Sequence, residues 1–261
     1  MNSTERAPVK DGVKSAQRAL SVLELLSSSD VPLTFSEIGA RLDYPRSSLF
    51  GLLNTLLDRH WLELDEQTRK YRLGVRTFEA GNAYLRSIDL VTIARPRMER
   101  IRDELDEIVQ FSVLDGRHNV YLCKVEGGQN LRLASEVGRR LQAHATALGK
   151  MLLAGLSEEA FDRLDWPKPL ERFTPHTITS IEALKAALAE ARALGYTRDN
   201  EEHTIGVRCF AMPIRNHSGQ TIAALSVSFP TVRFTEGRGQ QALTLLQAAV
   251  SAISSDLGYR A

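Results

Sequence analysis

Pro45 constrains this chain more than any other single residue. Its φ is fixed and it lacks an N–H, so it is tolerated at or beside the first turn of a helix and disfavoured inside one. The fifteen residues that follow, Arg46 to His60, place Leu49, Leu52, Leu53, Leu56 and Leu57 at i, i+3, i+4, i+7 and i+8, which predicts a helix with one apolar face. Before it, Thr34 to Leu42 reads as a short helix, with Ser36 where a cap would sit and Ile38 and Leu42 four residues apart. Asp43-Tyr44-Pro45 therefore separates two helices by a tight turn. Upstream, Ala19, Leu20, Val22, Leu23, Leu25 and Leu26 follow Ser15, a candidate cap, with helical spacing and end near Ser27-Ser28-Ser29. Downstream, Trp61 to Leu64 and Lys70 to Leu73 alternate as two short strands joined by Asp65 to Arg69.

A helix, a helix-turn-helix and a hairpin in that order predict a winged helix-turn-helix. The polar side of the Pro45-led helix is small and open. It offers Arg46, Ser47, Ser48, Phe50, Gly51 and Asn54, residue types that approach phosphates or base edges without obstruction. The hairpin adds Arg69 and Lys70, with Arg72 behind them, which read either as phosphate contacts or as a charged, solvated edge. Taken alone this helix would pass for an ordinary surface helix, since its polar face holds few cations. The order of elements favours double-stranded DNA.

Net charge is silent on that point, because 33 Lys and Arg balance 32 Asp and Glu. A length of 261 residues predicts two domains, and 43% hydrophobic content is enough for packed cores. Cys123 and Cys209 lie far apart, without metal-site or redox-motif spacing, as expected of a reducing compartment. Residues 1–12 have no apolar run and read as a flexible arm, where Arg6 and Lys10, with Lys14 just beyond, either follow a minor groove or stay free. No apolar run approaches the roughly 20 residues that span a bilayer. A cytoplasmic protein without membrane contact is expected.

Several ordered segments resemble the IclR family of bacterial regulators, from about Val13 to the C-terminus. Val13-Lys-Ser-Ala-Gln-Arg-Ala-Leu-Ser-Val-Leu-Glu-Leu-Leu26 is similar to the family's first helix, and Pro45-Arg-Ser-Ser-Leu-Phe-Gly-Leu-Leu-Asn-Thr-Leu-Leu57 to its recognition helix. Tyr71-Arg-Leu-Gly74 closes the hairpin in the family manner. His144-Ala-Thr-Ala-Leu-Gly-Lys-Met-Leu-Leu-Ala154 matches its A-x-G-K segment, and Gly195-Tyr196 with Glu201-Glu202 precedes Gly206-Val-Arg-Cys-Phe-Ala-Met-Pro213.

The remainder reads as a second domain from its own pattern. Val75 to Arg86, with Phe78 and Leu85 on one side, predicts a joining helix, and about Leu90 to Val109 predicts a longer one with Ile93, Ile101, Leu105 and Ile108 on its apolar face. Strands are expected at Gln110 to Leu114, Val120 to Val125, Val207 to Ile214 and Thr221 to Phe229, and helices at Leu148 to Gly155, Ser157 to Leu164, Ser180 to Leu194 and Glu236 to Leu257. The expected class is α+β. A winged helix-turn-helix over 13–74 and a linker helix over 75–88 lead into an α/β domain over 89–261 with a mainly antiparallel sheet, GAF-like by resemblance.

Cys209, Ser226 and Ser228 are small polar residues among Val, Ala and Phe, and spacing of two puts the serines on one strand face. They form either a packed strip with satisfied hydrogen bonds or one wall of a ligand pocket. The resemblance implies the pocket and adds Thr146, Ala147, Leu148, Gly149 and Asp199, with an aromatic or short aliphatic organic acid as effector. It further implies a homodimer or dimer of dimers on a pseudo-palindromic operator, acting as repressor of a catabolic operon. Two alternatives stay open: a regulator whose second domain only oligomerises, and a small-molecule enzyme with a regulatory domain. Against the latter, the six histidines, His60, His118, His144, His176, His203 and His217, form no metal-ligand spacing, and no G-x-S-x-G elbow occurs. Leu148-Gly149-Lys150-Met151 fails as a phosphate loop, because the first glycine would stand at His144 and Met151 has no hydroxyl. His203 and Cys209 would pair only through tertiary proximity. No catalytic residue, metal or cofactor is expected.

Overall fold

A computed structural model describes residues 13–87, 90–128 and 136–260, which divide into two compact units, 1–87 and 88–261. The expected arm at 1–12, with Arg6 and Lys10, lies outside the described residues, as does the side chain of Leu85. In the first unit the order is α1 (Lys14–Ser27), β1 (Leu33–Thr34), α2 (Phe35–Leu42), α3 (Arg46–Asp58), β2 (Leu62–Asp65), β3 (Lys70–Leu73) and α4 (Val75–Ser87). Val22, Leu26, Ile38, Leu49, Leu53, Leu56, Leu62 and Tyr71 close one core. The leucine spacing after Pro45 thus buries the face it predicted.

Two expected caps are corrected. α1 starts at Lys14 behind Val13 without a side-chain cap, so Ser15 and Lys14 are helical residues. α2 is capped by Thr34, not Ser36. The reason is β1, a two-residue strand absent from the sequence reading, whose pairing of Leu33 with Tyr71 and Thr34 with Lys70 holds Thr34 extended immediately before the helix. The Glu37 carboxylate accepts the Thr34 N–H at 2.7 Å and the Glu37 N–H donates back to Thr34 Oγ1 at 3.3 Å, a complete capping box. The Thr34 N–H holds the Glu37 carboxyl below its ordinary pKa. Thr34→Ala is expected to cost about 1 kcal/mol, read by denaturant unfolding, whereas Ser36→Ala should change little.

α3 ends at Asp58, two residues earlier than expected, and His60 at φ 58° turns the chain into the hairpin, whose strands pair Leu62 with Leu73 and Asp65 with Lys70. Where α4 begins, backbone meets backbone. A Cβ on Gly74 would lie 2.3 Å from the His60 carbonyl oxygen, so only glycine allows this approach.

The second unit runs α5 (Leu90–Leu105), β4 (Ile108–Asp115), β5 (His118–Val125), β6 (Arg140–Gln142), α6 (Ala147–Ala154), α7 (Glu158–Asp162), α8 (Ile181–Leu194), β7 (Thr197–Asn200), β8 (Val207–Arg215), β9 (Thr221–Pro230) and α9 (Glu236–Asp256). Its six strands form an antiparallel sheet in the order β6-β5-β4-β9-β8-β7. One face packs on α5 and α9 through Met98, Ile101, Leu246 and Ile253 against Phe111, Phe210, Leu225 and Phe229. The other packs on α6, α7 and α8 through Met151, Leu152, Phe161, Leu184 and Leu188 against Tyr121, Ala211 and Ala224. α5 stops at Leu105 instead of Val109, because Asp106 takes φ 53° and reverses the chain; Ile108 opens a strand. The buried face of α5 is Ala94, Met98, Ile101 and Leu105, with Ile93 at its edge. Among the described residues no helix is long and apolar enough to cross a membrane.

Candidate functional sites

On the first unit, Arg46, Ser47, Phe50 and Arg69 border one open hollow of about 640 Å³ with Phe35 and Tyr71. The N-terminal turn of α3 and the hairpin therefore present a common concave surface. Arg46 leans over the Phe35 ring at 5.7 Å, and Phe50 is 59% exposed, an aromatic side chain left in water at the centre of this face. Gly51 leaves open space beside it, since a Cβ there would meet nothing. Ser48 turns back, its hydroxyl donating to the Pro45 carbonyl at 3.0 Å, and Asn54 is half-buried further along the helix. Lys70 is half-buried in β3; Arg69 lies across from Glu66 at 2.9 Å and Arg72 from Glu63 at 2.7 Å. Both pairs are solvent-exposed and weak enough to be exchanged for a phosphate. Phe35 and Tyr71 were missed because only β1 pairing brings their elements together.

In the second unit the alternation of β8 and β9 sends Cys209, Ser226 and Ser228 toward α6. Thr146, Ala147, Leu148, Asp199, Cys209, Ser226 and Ser228 line one small cavity of about 40 Å³. Gly149 does not line it. A Cβ there would lie 2.3 Å from Ala143 Cα and O, so Gly149 serves the close packing of α6 on the preceding turn. Sequence reasoning missed Gln110, Tyr121, Leu141, His203, Thr204 and Val207. Gln110, a polar residue in an apolar strand, was a usable signal. Its Oε1 accepts from Ser228 Oγ at 3.1 Å and Ser226 Oγ at 3.5 Å, and Cys209 Sγ sits 3.1 Å from Ser228 Oγ. Thr146 caps α6 by accepting the Gly149 N–H at 3.0 Å and donates to Asn119 Oδ1 at 2.9 Å.

A buried charged layer underlies the cavity. Lys150 Nζ meets Glu202 Oε1 at 2.5 Å, with side chains 6% and 11% exposed. The Glu202 N–H donates to Asp199 Oδ1 at 2.7 Å, and the hydroxyls of Thr174 and Thr177 donate to the carbonyls of Glu201 (2.7 Å) and Glu202 (2.5 Å), fastening the loop that presents His203 and Thr204. Burial, then the Glu202 charge, pushes the Asp199 carboxyl up to about 7. Burial lowers both His203 and His144, so the two rings are neutral near pH 7; His203 stacks on Phe173 at 4.8 Å, and His144 Nε2 lies 2.9 Å from the Glu171 carbonyl. Burial also pushes the Cys209 thiol up, which disfavours the thiolate a nucleophile needs, and His203 hydrogen-bonds Thr204.

Because Asp199 prefers its neutral form when folded, it binds more protons in the native than in the unfolded chain between its ordinary value near 3.8 and about 7. That contribution to stability is complete below the lower value and lost as pH rises through the upper one. Asp199→Asn keeps an acceptor for the Glu202 N–H and is expected to remove this fall, so melting curves at pH 5.5 and 8 should differ less in the variant.

A winged helix-turn-helix unit followed in the same chain by an α/β unit with a small, partly open cavity defines a two-unit transcription factor. The helix-turn-helix model of the IclR family matches residues 15–66 and the model of the C-terminal part of bacterial transcriptional regulator IclR matches residues 82–255. The chain belongs to the IclR family of bacterial DNA-binding transcriptional regulators. It is 37% identical to the HTH-type transcriptional regulator XynR of Escherichia coli K12, covering 95% of this chain and 99% of that one. It is 33% identical to the HTH-type transcriptional repressor AllR of the same strain, covering 96% and 92%. Among solved structures, an IclR homologue from Microbacterium hydrocarbonoxydans complexed with 4-hydroxybenzoate superposes with a TM-score of 0.81 at 30% identity, covering 94% of this chain and 99% of that one.

Proposed function

We propose that this protein is a cytoplasmic repressor whose operator binding is controlled by a small organic acid held between α6 and the β8–β9 strands. Two copies, or a dimer of dimers, engage a pseudo-palindromic operator. In each, Arg46, Ser47, Phe50, Gly51 and Asn54 face the major groove, Ser48 supports that turn, and Arg69 and Lys70 hold phosphates. The observation that carries the effector reading is the convergence of Thr146, Asp199, Cys209, Ser226 and Ser228 on one small, partly open cavity.

None of the residues lining that cavity is Lys or Arg. An acid would therefore be held by neutral donors: the Tyr121 hydroxyl and the N–H groups at the start of α6, where the helix dipole favours an anion, with Ser226 and Ser228 joining only by turning their hydroxyls away from Gln110. Asp199 near pH 7 exists partly as the neutral acid and then donates rather than repels. The cavity as it stands holds only a few water-sized groups, which matches a short aliphatic acid. An aromatic acid, such as the 4-hydroxybenzoate of the Microbacterium relative, requires the loop carrying His203 and Thr204 to move outward. The relatives named as a regulator and a repressor support the transcriptional role.

The test is binding of the purified protein to its own upstream intergenic DNA at two salt concentrations, with and without short aliphatic and aromatic acids. Salt-sensitive, sequence-selective binding altered by one acid supports the whole reading. Selective binding that no acid alters would leave the second unit as an oligomerisation module. Absence of selective binding would overturn the operator assignment.

A further inference from the structure

The strand that supplies Asp199 to the cavity turns its alternate residues the other way. In β7, Thr197 and Asp199 are buried while Arg198 and Asn200 are exposed, and in β8 Arg208 and Phe210 share that second face. Arg208 lies inside the Gly206–Pro213 segment, yet it has no part in the effector cavity. On its side of the sheet, β7, β8 and the first turns of α9 enclose a separate groove of about 250 Å³.

Its chemistry is uneven in one direction. Arg198 and Arg208 are diagonal neighbours, because Arg198 pairs with Phe210 and Asn200 with Arg208, a spacing of about 7–8 Å that lets two long side chains converge. Arg208 stacks over the Phe234 ring at 5.0 Å, and Arg198 over Tyr196 at 5.3 Å, held there by a 2.6 Å hydrogen bond to the Tyr196 hydroxyl. Among the described residues neither guanidinium forms an ion pair. Arg208 Nε is moreover buried without any hydrogen-bond partner. A buried guanidinium nitrogen left unsatisfied is costly, more so than a neutral donor. Asp199, Cys209, Glu236 and Gln240 line the groove as well, and its apolar floor is Phe210, Phe234 and Leu243. Gly239 keeps the floor open, since a Cβ there would press on Phe234 at 3.0 Å and Phe210 at 3.3 Å.

We infer that this groove is a second ligand site, taking a small oxyanion, an organic carboxylate with an apolar body, on the Arg198–Arg208 pair. The carboxylate is held by the converging Arg198 and Arg208 guanidinium groups, and the apolar body lies on the phenylalanines. Because Asp199 and Cys209 line the groove as well as the first cavity, occupancy of the groove is transmitted through them as a co-effector signal. That coupling, unlike the site itself, rests on reading the first cavity as the effector site.

The full-length protein is titrated with 4-fluorobenzoate, followed by calorimetry and fluorine NMR, as wild type, Ser226→Leu, Arg208→Gln and the double variant. Ser226→Leu fills the first cavity, and Ser228→Val substitutes for it should that variant misfold. Ser226→Leu is expected to retain one site per chain, which Arg208→Gln weakens at least tenfold, as for loss of a charge-assisted hydrogen bond. Displacement of the probe by inorganic phosphate would assign recognition to the oxyanion alone; resistance to phosphate would assign it to the carboxylate together with its apolar body. Binding in Ser226→Leu that ignores Arg208→Gln overturns the proposal, as does no binding at millimolar probe. A change of sedimentation state in Arg208→Gln without weaker binding also overturns it, by giving the guanidinium pair to a second copy.

Discussion

Replacing Lys150 by methionine is expected to destabilise the second unit by about 3–5 kcal/mol, the range found when one partner of a buried ion pair is removed. Methionine fills much of the volume, so the loss reports charge rather than a cavity. What remains is Glu202, 11% exposed, without its ammonium, and with Oε2 already lacking a partner. Asp199 is one hydrogen bond away and already held partly neutral by burial and, second, by the Glu202 charge, so the damage extends to the cavity wall. The companion Lys150→Met, Glu202→Met variant removes both charges and should recover most of the loss, because an apolar pair in place of a buried ion pair is often neutral. Denaturant unfolding of the three proteins checks this. A single-variant loss below about 1 kcal/mol would mean that water reaches the pair, and the layer would then not hold the loop over the cavity.

For the first unit the largest expected effect is on DNA. Arg46→Ala and Arg69→Ala should each weaken operator binding by about 1–3 kcal/mol, or roughly ten- to hundredfold. The two differ in kind. Arg69, on the hairpin, is assigned to phosphate, so its loss should lower affinity for all sequences alike and reduce the slope of log affinity against log salt by about one per contact, counted twice in a two-fold dimer. Arg46, at the start of α3, reaches base edges if that turn enters the major groove, and its loss should then relax discrimination between operator and mutated operator. Gel-shift titrations at several salt concentrations separate the cases. Both residues are exposed, so melting temperatures should stay unchanged. Equal affinity of either variant and the wild type would remove that residue from the interface.

Much of the architecture was readable because its signals are local. The leucines after Pro45 repeat at helical spacing within one segment, and the hairpin strands adjoin each other in sequence. Ser226 and Ser228 sit two apart in an apolar strand, so their common face followed from strand geometry alone. The errors are local signals that a distant partner overrode. Ser36 lost the cap to Thr34 because Tyr71, from the hairpin, pins Leu33. Asp106 ends α5 where Ile108 and Val109 continue the apolar pattern, since those residues find neighbours in β9, over a hundred positions away, at Ser228 and Val227. β7 escaped notice for a similar reason: Thr-Arg-Asp-Asn has no apolar member, and only its pairing with β8 makes it a strand.

What the chain determined by itself, then, was the sequence of elements, the division into a DNA-facing and an α/β part, and the small polar residues available to a pocket. Periodicity and turn chemistry act over a few residues, and one sequence displays them completely. Tertiary structure alone decided which polar groups share a space: Gln110 beneath Ser226 and Ser228, Lys150 on Glu202, Asp199 between the cavity and the neighbouring groove, and Arg198 with Arg208 in that groove. Those neighbours come from strands and helices far apart in the chain, and their charge states follow from burial, a property of the packed whole that no segment carries alone.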